Sequence, residues 1–341
     1  MNIYEIILTI FSILAITQCI LTSSEIRKII YFISSALLIY IFAVQDICVG
    51  PDTAVYYNAF YFINKLDFHE IFQYGWEPGY LAINWLVGSC FDDARALIVF
   101  MAFFILIPIL RFFDKESFWP ELSLVVFVGS GMLLASMGIF RQWCAMAILT
   151  LSYRYIKERS LYKFLLILLV AMSFHRTAIC FLLAYFLHKI HINLKNIIFS
   201  MSVSLFIGLG GGYILSFLNK FARISEDGNF NGGISMLFLL WGCVFATLIV
   251  FRFKIPKKIE FYYKMIYIAA VLQPIAFSFS NWARIVIYFS IALTVLIPNV
   301  IVLLTDKVES YPYRIVMGLC CCILMYIWLN VIPIREYVFM S

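Results

Sequence analysis

The sequence predicts an all-α fold, a polytopic integral membrane helix bundle, from its composition, the length of its apolar runs and its scarcity of charge. Of 341 residues, 64% are apolar and 13% charged, and the mean hydropathy is +0.97. Soluble domains are near half apolar and a quarter charged. This chain has too few charges to clothe a core of its own length, so lipid is the expected outer solvent. One crossing takes roughly 20 apolar residues, which allows about 12 transmembrane helices and little else. The runs from Ile98 to Ile109 and from Phe164 to Ala171 are continuous rather than alternating, which favours helices over a membrane barrel.

Taken in order, spans are expected near residues 4–22, 29–46, 96–112, 119–137, 139–156, 163–175, 177–189, 197–217, 234–251, 262–280, 284–304 and 314–332. The first is read as a span rather than a signal peptide, because no basic stretch and small-residue cleavage site frame it. One transmembrane domain over residues 1–341 is expected, with outer loops at 47–95 and 218–233. The second loop carries SEDGNFNGG, too polar and glycine-rich to cross lipid. Within the first, PGYLAINWLVGSCF (78–91) is too short for a full span and reads as a re-entrant or interfacial helix. That reading gathers most of the 25 lysines and arginines on one side. Among them are Arg27, Lys28, Arg154, Lys157, Arg159, Lys163 and the cluster Arg252, Lys254, Lys257 and Lys258. Such a bias marks the cytoplasmic side and puts both termini outside.

Nine cysteines add no framework. Most sit in apolar runs (Cys19, Cys144, Cys180, Cys243, Cys320 to Cys322) and read as small apolar filler. No Cys/His spacing suits zinc, and no metal spacing links His69 to the other histidines, so no metal site is expected. His188 and His191, beside Lys189 and Lys195, read as cytoplasmic loop residues. No P-loop or dinucleotide motif occurs, so no cofactor and no nucleic acid are expected.

The outer side holds the informative charges. Arg141 (GIFRQW), Arg176 (SFHRTA) and Arg284 (NWARIV) each sit in a very short connection between long apolar runs. A cation so near hydrocarbon faces a cavity, a partner or a ligand, or else snorkels to the interface. Three on one face, with His175 beside one of them, suggest a shared anion site, since a guanidinium meets phosphate oxygens bidentately and keeps its charge. Among the outer carboxylates (Asp46, Asp52, Asp67, Glu70, Glu77, Asp92, Asp93), Asp52 and Glu77 stand beside Pro and Gly in VGPDTAVYY and WEPGYLAINW. Those neighbours fix the backbone next to a charge. Tyr56, Tyr57, Tyr61, Tyr74, Trp76 and Tyr80 crowd the same segment, as an interfacial belt or as platforms for sugar rings.

The order VGPDTAVYY, EPGY with Asn84, FRQ before the small-residue run WCAMA, FHRTA and a late NWAR resembles the EpsG-like branch of the Wzy polysaccharide polymerases, from about residue 45 to 290. One departure is visible: where the family pattern carries an arginine at the end of the second span, this chain has Gln45 and Asp46. The resemblance implies a glycosyltransferase acting on the outer face of the bacterial inner (cytoplasmic) membrane. Its substrates would be undecaprenyl-diphosphate-linked oligosaccharides. The growing glycan would pass from its lipid carrier to the non-reducing end of a new lipid-linked repeat unit, and a chain-length regulator protein is an expected partner. On that reading Arg141, Arg176 and Arg284 hold the diphosphate, with Gln142, Asn281, Tyr56, Trp76 and Tyr80 in the substrate-binding set. His175, Asp52 or Glu77 would orient or deprotonate the acceptor. The rivals are a lipid-linked oligosaccharide flippase or transporter, which would want charges near mid-membrane and repeated halves, and an O-antigen ligase, which shares the donor chemistry.

Overall fold

In the computed structural model the chain is helical, with no strand among the described residues, which are 3–21, 23–219, 233–277, 282–306 and 311–331. Among the described residues, six helices are long and apolar enough to cross a bilayer: Ile3–Ile20, Ser24–Ala43, Arg95–Glu116, Leu194–Gly211, Ala283–Asp306 and Pro312–Val331. Shorter apolar helices stand beside them. The chain divides into two compact units, one of residues 1–179 and 301–341, the other of residues 180–300.

The first unit begins with α1 (Ile3–Ile20) and α2 (Ser24–Ala43), the latter capped by the Ser23 hydroxyl, which accepts from the Ile26 amide. A third long helix, α5 (Arg95–Glu116), runs antiparallel to α2. The Tyr31 hydroxyl near the start of α2 donates to the Leu110 carbonyl near the end of α5, at 2.6 Å. Residues 44–94 therefore leave and return at the same end of the bundle. They are built as α3 (Thr53–Ile63), a 3-10 turn (Ile71–Tyr74) and α4 (Pro78–Gly88). Eleven residues in each helix reach only about 16 Å, half of a hydrocarbon core. The expected non-crossing helix near 78–91 is α4. Its apolar face closes on α3 through Ala59, Ile63, Ile71 and Leu81, with Trp76 and Trp85 at the edge.

The following spans are broken rather than continuous. The segment expected as one span at 119–137 is α6 (Pro120–Gly129) and α7 (Met132–Ser136), divided at Gly131, whose φ of 79° is left-handed. The next is α8 (Phe140–Thr150) and α9 (Tyr153–Lys157). It returns along α5, with Thr150 Oγ1 3.5 Å from the Pro108 carbonyl and Lys157 paired with Glu116. Then α10 (Leu161–Met172) climbs back to Ser173–His175. The first unit so acquires two ends. One gathers residues 44–94, Met137–Arg141 and Ser173–His175; the other gathers Arg27, Asp114, Trp119, Lys157 and Arg314. The 20 residues of α2 separate them by about 30 Å.

The second unit carries α11 (Leu182–Tyr185), α12 (Leu194–Asn219), α13 (Ile234–Val250), α14 (Lys257–Leu272) and α15 (Ala283–Ser290). Gly208 lets α12 lie directly on the 3-10 turn Gln273–Phe277, because a Cβ there would stand 2.7 Å from the Pro274 carbonyl carbon. The Tyr267 hydroxyl bonds Ser200 Oγ at 2.8 Å. Helix α16 (Leu293–Asp306) leads out of this unit, and α17 (Tyr311–Val331) completes the first one beside α1, with the Tyr326 hydroxyl 3.4 Å from Glu5 Oε2. The expected outer loop at 218–233 lies almost wholly outside the described residues.

Candidate functional site

Two glycine-proline motifs of the 44–94 segment dock on two helix junctions. In VGPDT, Gly50 lies on Gly138, where neither has room for a Cβ. The Met137 carbonyl there accepts from Thr53 Oγ1 at 3.1 Å and from Gln45 Nε2 at 3.0 Å. Gln45 is thus a buried strut that fastens the end of α2 to the stretch leading into α8. In WEPGY, Glu77 precedes proline and takes the extended conformation that proline imposes on its neighbour (φ −66°, ψ 138°). Gly79 then donates to the Ser173 carbonyl at 2.7 Å, and a Cβ on it would meet Ser173 Oγ at 2.5 Å and the carbonyl oxygen at 2.8 Å. The first docking sets Phe140 and Arg141, and the second sets His175 and Arg176.

Both converge on Glu77. Its side chain is buried, and Oε2 accepts from Arg141 Nη1 at 2.7 Å. Oε1 accepts from the Arg176 amide at 3.3 Å and lies 3.2 Å from His175 Nδ1, with Arg176 Nε at 4.0 Å. Burial pushes the Glu77 carboxyl up, but the close His175 contact and the Arg141 charge outweigh it and pull it down to about 2. Arg141 is packed from the other side, its guanidinium 4.7 Å above the Trp76 ring. Tyr56, Tyr80 and Phe140 continue this aromatic wall: Tyr56 stacks on Phe140 at 5.0 Å and meets Trp76 edge-on at 5.5 Å. The Tyr56 hydroxyl also interacts with Arg141.

Some polar capacity in this cluster is buried and unused. Arg141 Nε and His175 Nε2 are buried without a hydrogen-bond partner. Desolvated donors and acceptors without partners are costly, and ones so arranged beside a fixed charge are what a polar ligand would satisfy. The Arg176 guanidinium is exposed; besides the Glu77 contact, it donates to the Gly75 carbonyl at 3.4 Å. The group Arg141, Arg176, His175 and Glu77 can hold an anion and, at His175, take or give a proton.

Of the site residues expected from sequence, His175, Glu77, Arg141, Arg176, Tyr56, Trp76 and Tyr80 come together here. Asp52, one helical turn before Tyr56, is half-buried at the start of α3, near enough for its charge to act on the Tyr56 hydroxyl. Gln142 is buried in the wall of α8. Arg284 is an exposed residue of α15 in the second unit, and Asn281 lies outside the described residues. The Trp76 face over which Arg141 lies is taken by that guanidinium, so that face serves the cation rather than a sugar ring. Sequence reasoning noted Gly79 beside Glu77 but not what it docks on, and it missed Phe140 and Ser173, which help position the charged groups. The glycine in EPGY was the available signal, since a glycine after Glu-Pro implies close approach by another backbone.

The family model that matches the chain is that of the EpsG family, a Wzy-like polymerase branch, over residues 28–339. No curated protein and no solved structure matches it. The match covers every element of the first unit's polar cluster, and with the apolar helices it settles the identity: this chain is a multi-pass membrane protein of the EpsG family.

Proposed function

We propose that the chain is a polysaccharide polymerase that moves a growing glycan from undecaprenyl diphosphate to the non-reducing end of a lipid-linked repeat unit, at the Glu77–Arg141–His175–Arg176 cluster. Family membership supports an exopolysaccharide or O-antigen polymerase-like role. The observation that carries the finer reading is the buried Glu77 carboxylate holding one arginine against Trp76 and a second arginine and a histidine beside it. The acceptor hydroxyl oxygen attacks the anomeric carbon of the donor sugar, and the bond from that carbon to the diphosphate oxygen breaks. The electron pair leaves with the lipid diphosphate. Arg141, packed against Trp76, and the exposed Arg176 stabilise the charge gathering there, since cations held in place are worth most where charge develops. The acceptor proton passes to a ring nitrogen of His175. Glu77 is too acidic and too fully engaged to act as that base; it positions the other three.

The charge of the two ends of the first unit supports an outer location. The Glu77 end is rich in carboxylates, including Asp46, Asp52, Asp67 and Glu70. The opposite end carries Arg27, Lys28, Arg111, Lys115, Lys157 and Arg314, the pattern of a cytoplasmic face.

The test is complementation of a deletion strain with wild type, Arg141→Ala, Arg176→Ala and His175→Ala, with surface glycan resolved as a ladder and membrane levels checked. Single repeat units in the deletion strain and in well-expressed arginine variants support the reading. Loss of even single units points to flipping or ligation, and an unchanged ladder in the deletion strain removes the assignment.

A further inference from the structure

The second unit has a cavity of its own, about 550 Å³ in volume, where the connection into α12 meets the connection from α13 to α14. That size is within the range of small-ligand sites, roughly 300–1,000 Å³. His191 and Lys257 line it beside the pair Lys264 and Glu260. Glu260 is the single carboxylate of the lining and is already neutralised: its Oε1 accepts from Lys264 Nζ at 2.7 Å, and Lys264 is only 8% exposed. The other charges have no such restraint. The two connections, residues 188–195 and 252–258, carry Lys189, Lys195, Arg252, Lys254, Lys257 and Lys258 and no carboxylate. All six are exposed, and none is in an ion pair among the described residues. Cations crowded in this way repel one another until counter-charge is supplied. Asn193 and Lys257, both in the lining, stand at the starts of α12 and α14, whose positive dipole ends add to the field.

The surroundings of the cavity favour an anion from the bilayer over one from solution. The Leu194–Gly211 segment of α12 is long and apolar enough to cross a membrane, and it begins next to Asn193. One turn further on, Ile198 and Phe199 are 53% and 71% exposed, a surface suited to hydrocarbon. Ile192, Phe253 and Ile255 carry apolar lining into the cavity itself. A phosphate on an acyl-bearing glycerol meets both kinds of surface, whereas a free phosphate meets one. A zwitterionic headgroup would bring its own cation against the lysines. We propose that this cavity binds the headgroup of an anionic phospholipid of the bilayer, its phosphodiester against Lys257 and His191 and its glycerol against Phe253 and Ile255. Basic pockets between transmembrane helices recognise phosphate headgroups by the same electrostatics. Bound there, the lipid would hold the two cationic connections together.

The full chain, purified in detergent and stripped of lipid, would be titrated with phosphatidylglycerol, phosphatidylethanolamine and phosphatidylcholine, and retained lipid counted by native mass spectrometry. Phosphatidylglycerol should be retained about tenfold better than either zwitterion. Lys257→Gln combined with His191→Gln, both at exposed positions, should reduce that preference to about twofold or less. Lys28→Gln combined with Arg111→Gln, which removes exposed cations of the first unit, should leave it intact. Equal retention of the three lipids by wild type overturns the proposal whether or not the variants fold. So does an undiminished preference in the first double variant, or a preference lost instead in the second. Displacement of the lipid by soluble glycerol 3-phosphate at equal concentration would also overturn it, since the anion would then come from solution.

Discussion

Glu77 Oε2 and Arg141 Nη1 stand 2.7 Å apart although 64 residues separate them in the chain, and the pair joins the N-terminus of α4 to the first turn of α8. A carboxylate buried to this degree survives only because the guanidinium, the His175 ring and a backbone amide surround it. Removing one partner of such a pair costs more than the pair contributes, since the other charge is left stranded. Glu77→Ala should therefore destabilise the purified protein by roughly 3–5 kcal/mol. Thermal unfolding in detergent measures it, and an unchanged midpoint would mean the cluster is not a structural centre.

The acidity of Glu77 makes a directional prediction about pH. Its carboxyl sits at about 2 against 4.5 for a free side chain. A carboxyl depressed by folding contributes stability that is complete above the ordinary value and disappears as pH falls through the folded one. Stability should thus decline from about pH 4.5 down to about 2 in wild type, and less steeply in Glu77→Gln. Melting curves across that range test the sign; a decline setting in only above pH 5 would contradict it.

Arg141 and Arg176 should part company under conservative substitution. Arg141 is wedged between Glu77 and the Trp76 ring, a geometry that a lysine does not reproduce. Arg141→Lys should cut polymer synthesis by about 10²-fold despite keeping the charge. The Arg176 side chain is 79% exposed, so Arg176→Ala should leave the unfolding temperature unchanged while lowering polymer yield. A variant pair behaving alike in both assays would argue against their separate roles.

Gly79→Ala supplies a test of backbone docking. Its Cβ would collide with Ser173, a backbone neighbour that cannot swing aside, and would break the Gly79–Ser173 hydrogen bond. His175 would shift with it, so polymer synthesis should fall sharply at normal membrane levels. Gly210→Ala and Gly242→Ala meet nothing within 4 Å and should be silent, within about 0.5 kcal/mol. Equal ladders from all three strains would show that the close approach of Gly79 to Ser173 has no functional weight.

Much of this protein could be read without coordinates, for a definite reason. Hydrocarbon demands that backbone polar groups be paired within the segment, so long apolar runs must be helices and their lengths limit where they cross. That argument alone yields the all-α bundle, the short α4 and the polar 47–95 segment. It also singles out Arg141, Arg176 and Arg284, with His175 beside one of them, because charges beside apolar runs are expensive enough to need a reason; Asp52 and Glu77 stand out by their Pro and Gly neighbours. What sequence could not show is who faces whom. The meeting of WEPGY with SFHR, and of VGPDT with MGIFR, is decided by backbone approach at Gly79, Gly50 and Gly138. Such contacts depend on how helices pack across distances of tens of residues. Only the tertiary structure turned Glu77 from a candidate base into the anchor of three other groups, because a carboxylate's acidity depends on the charges and burial around it.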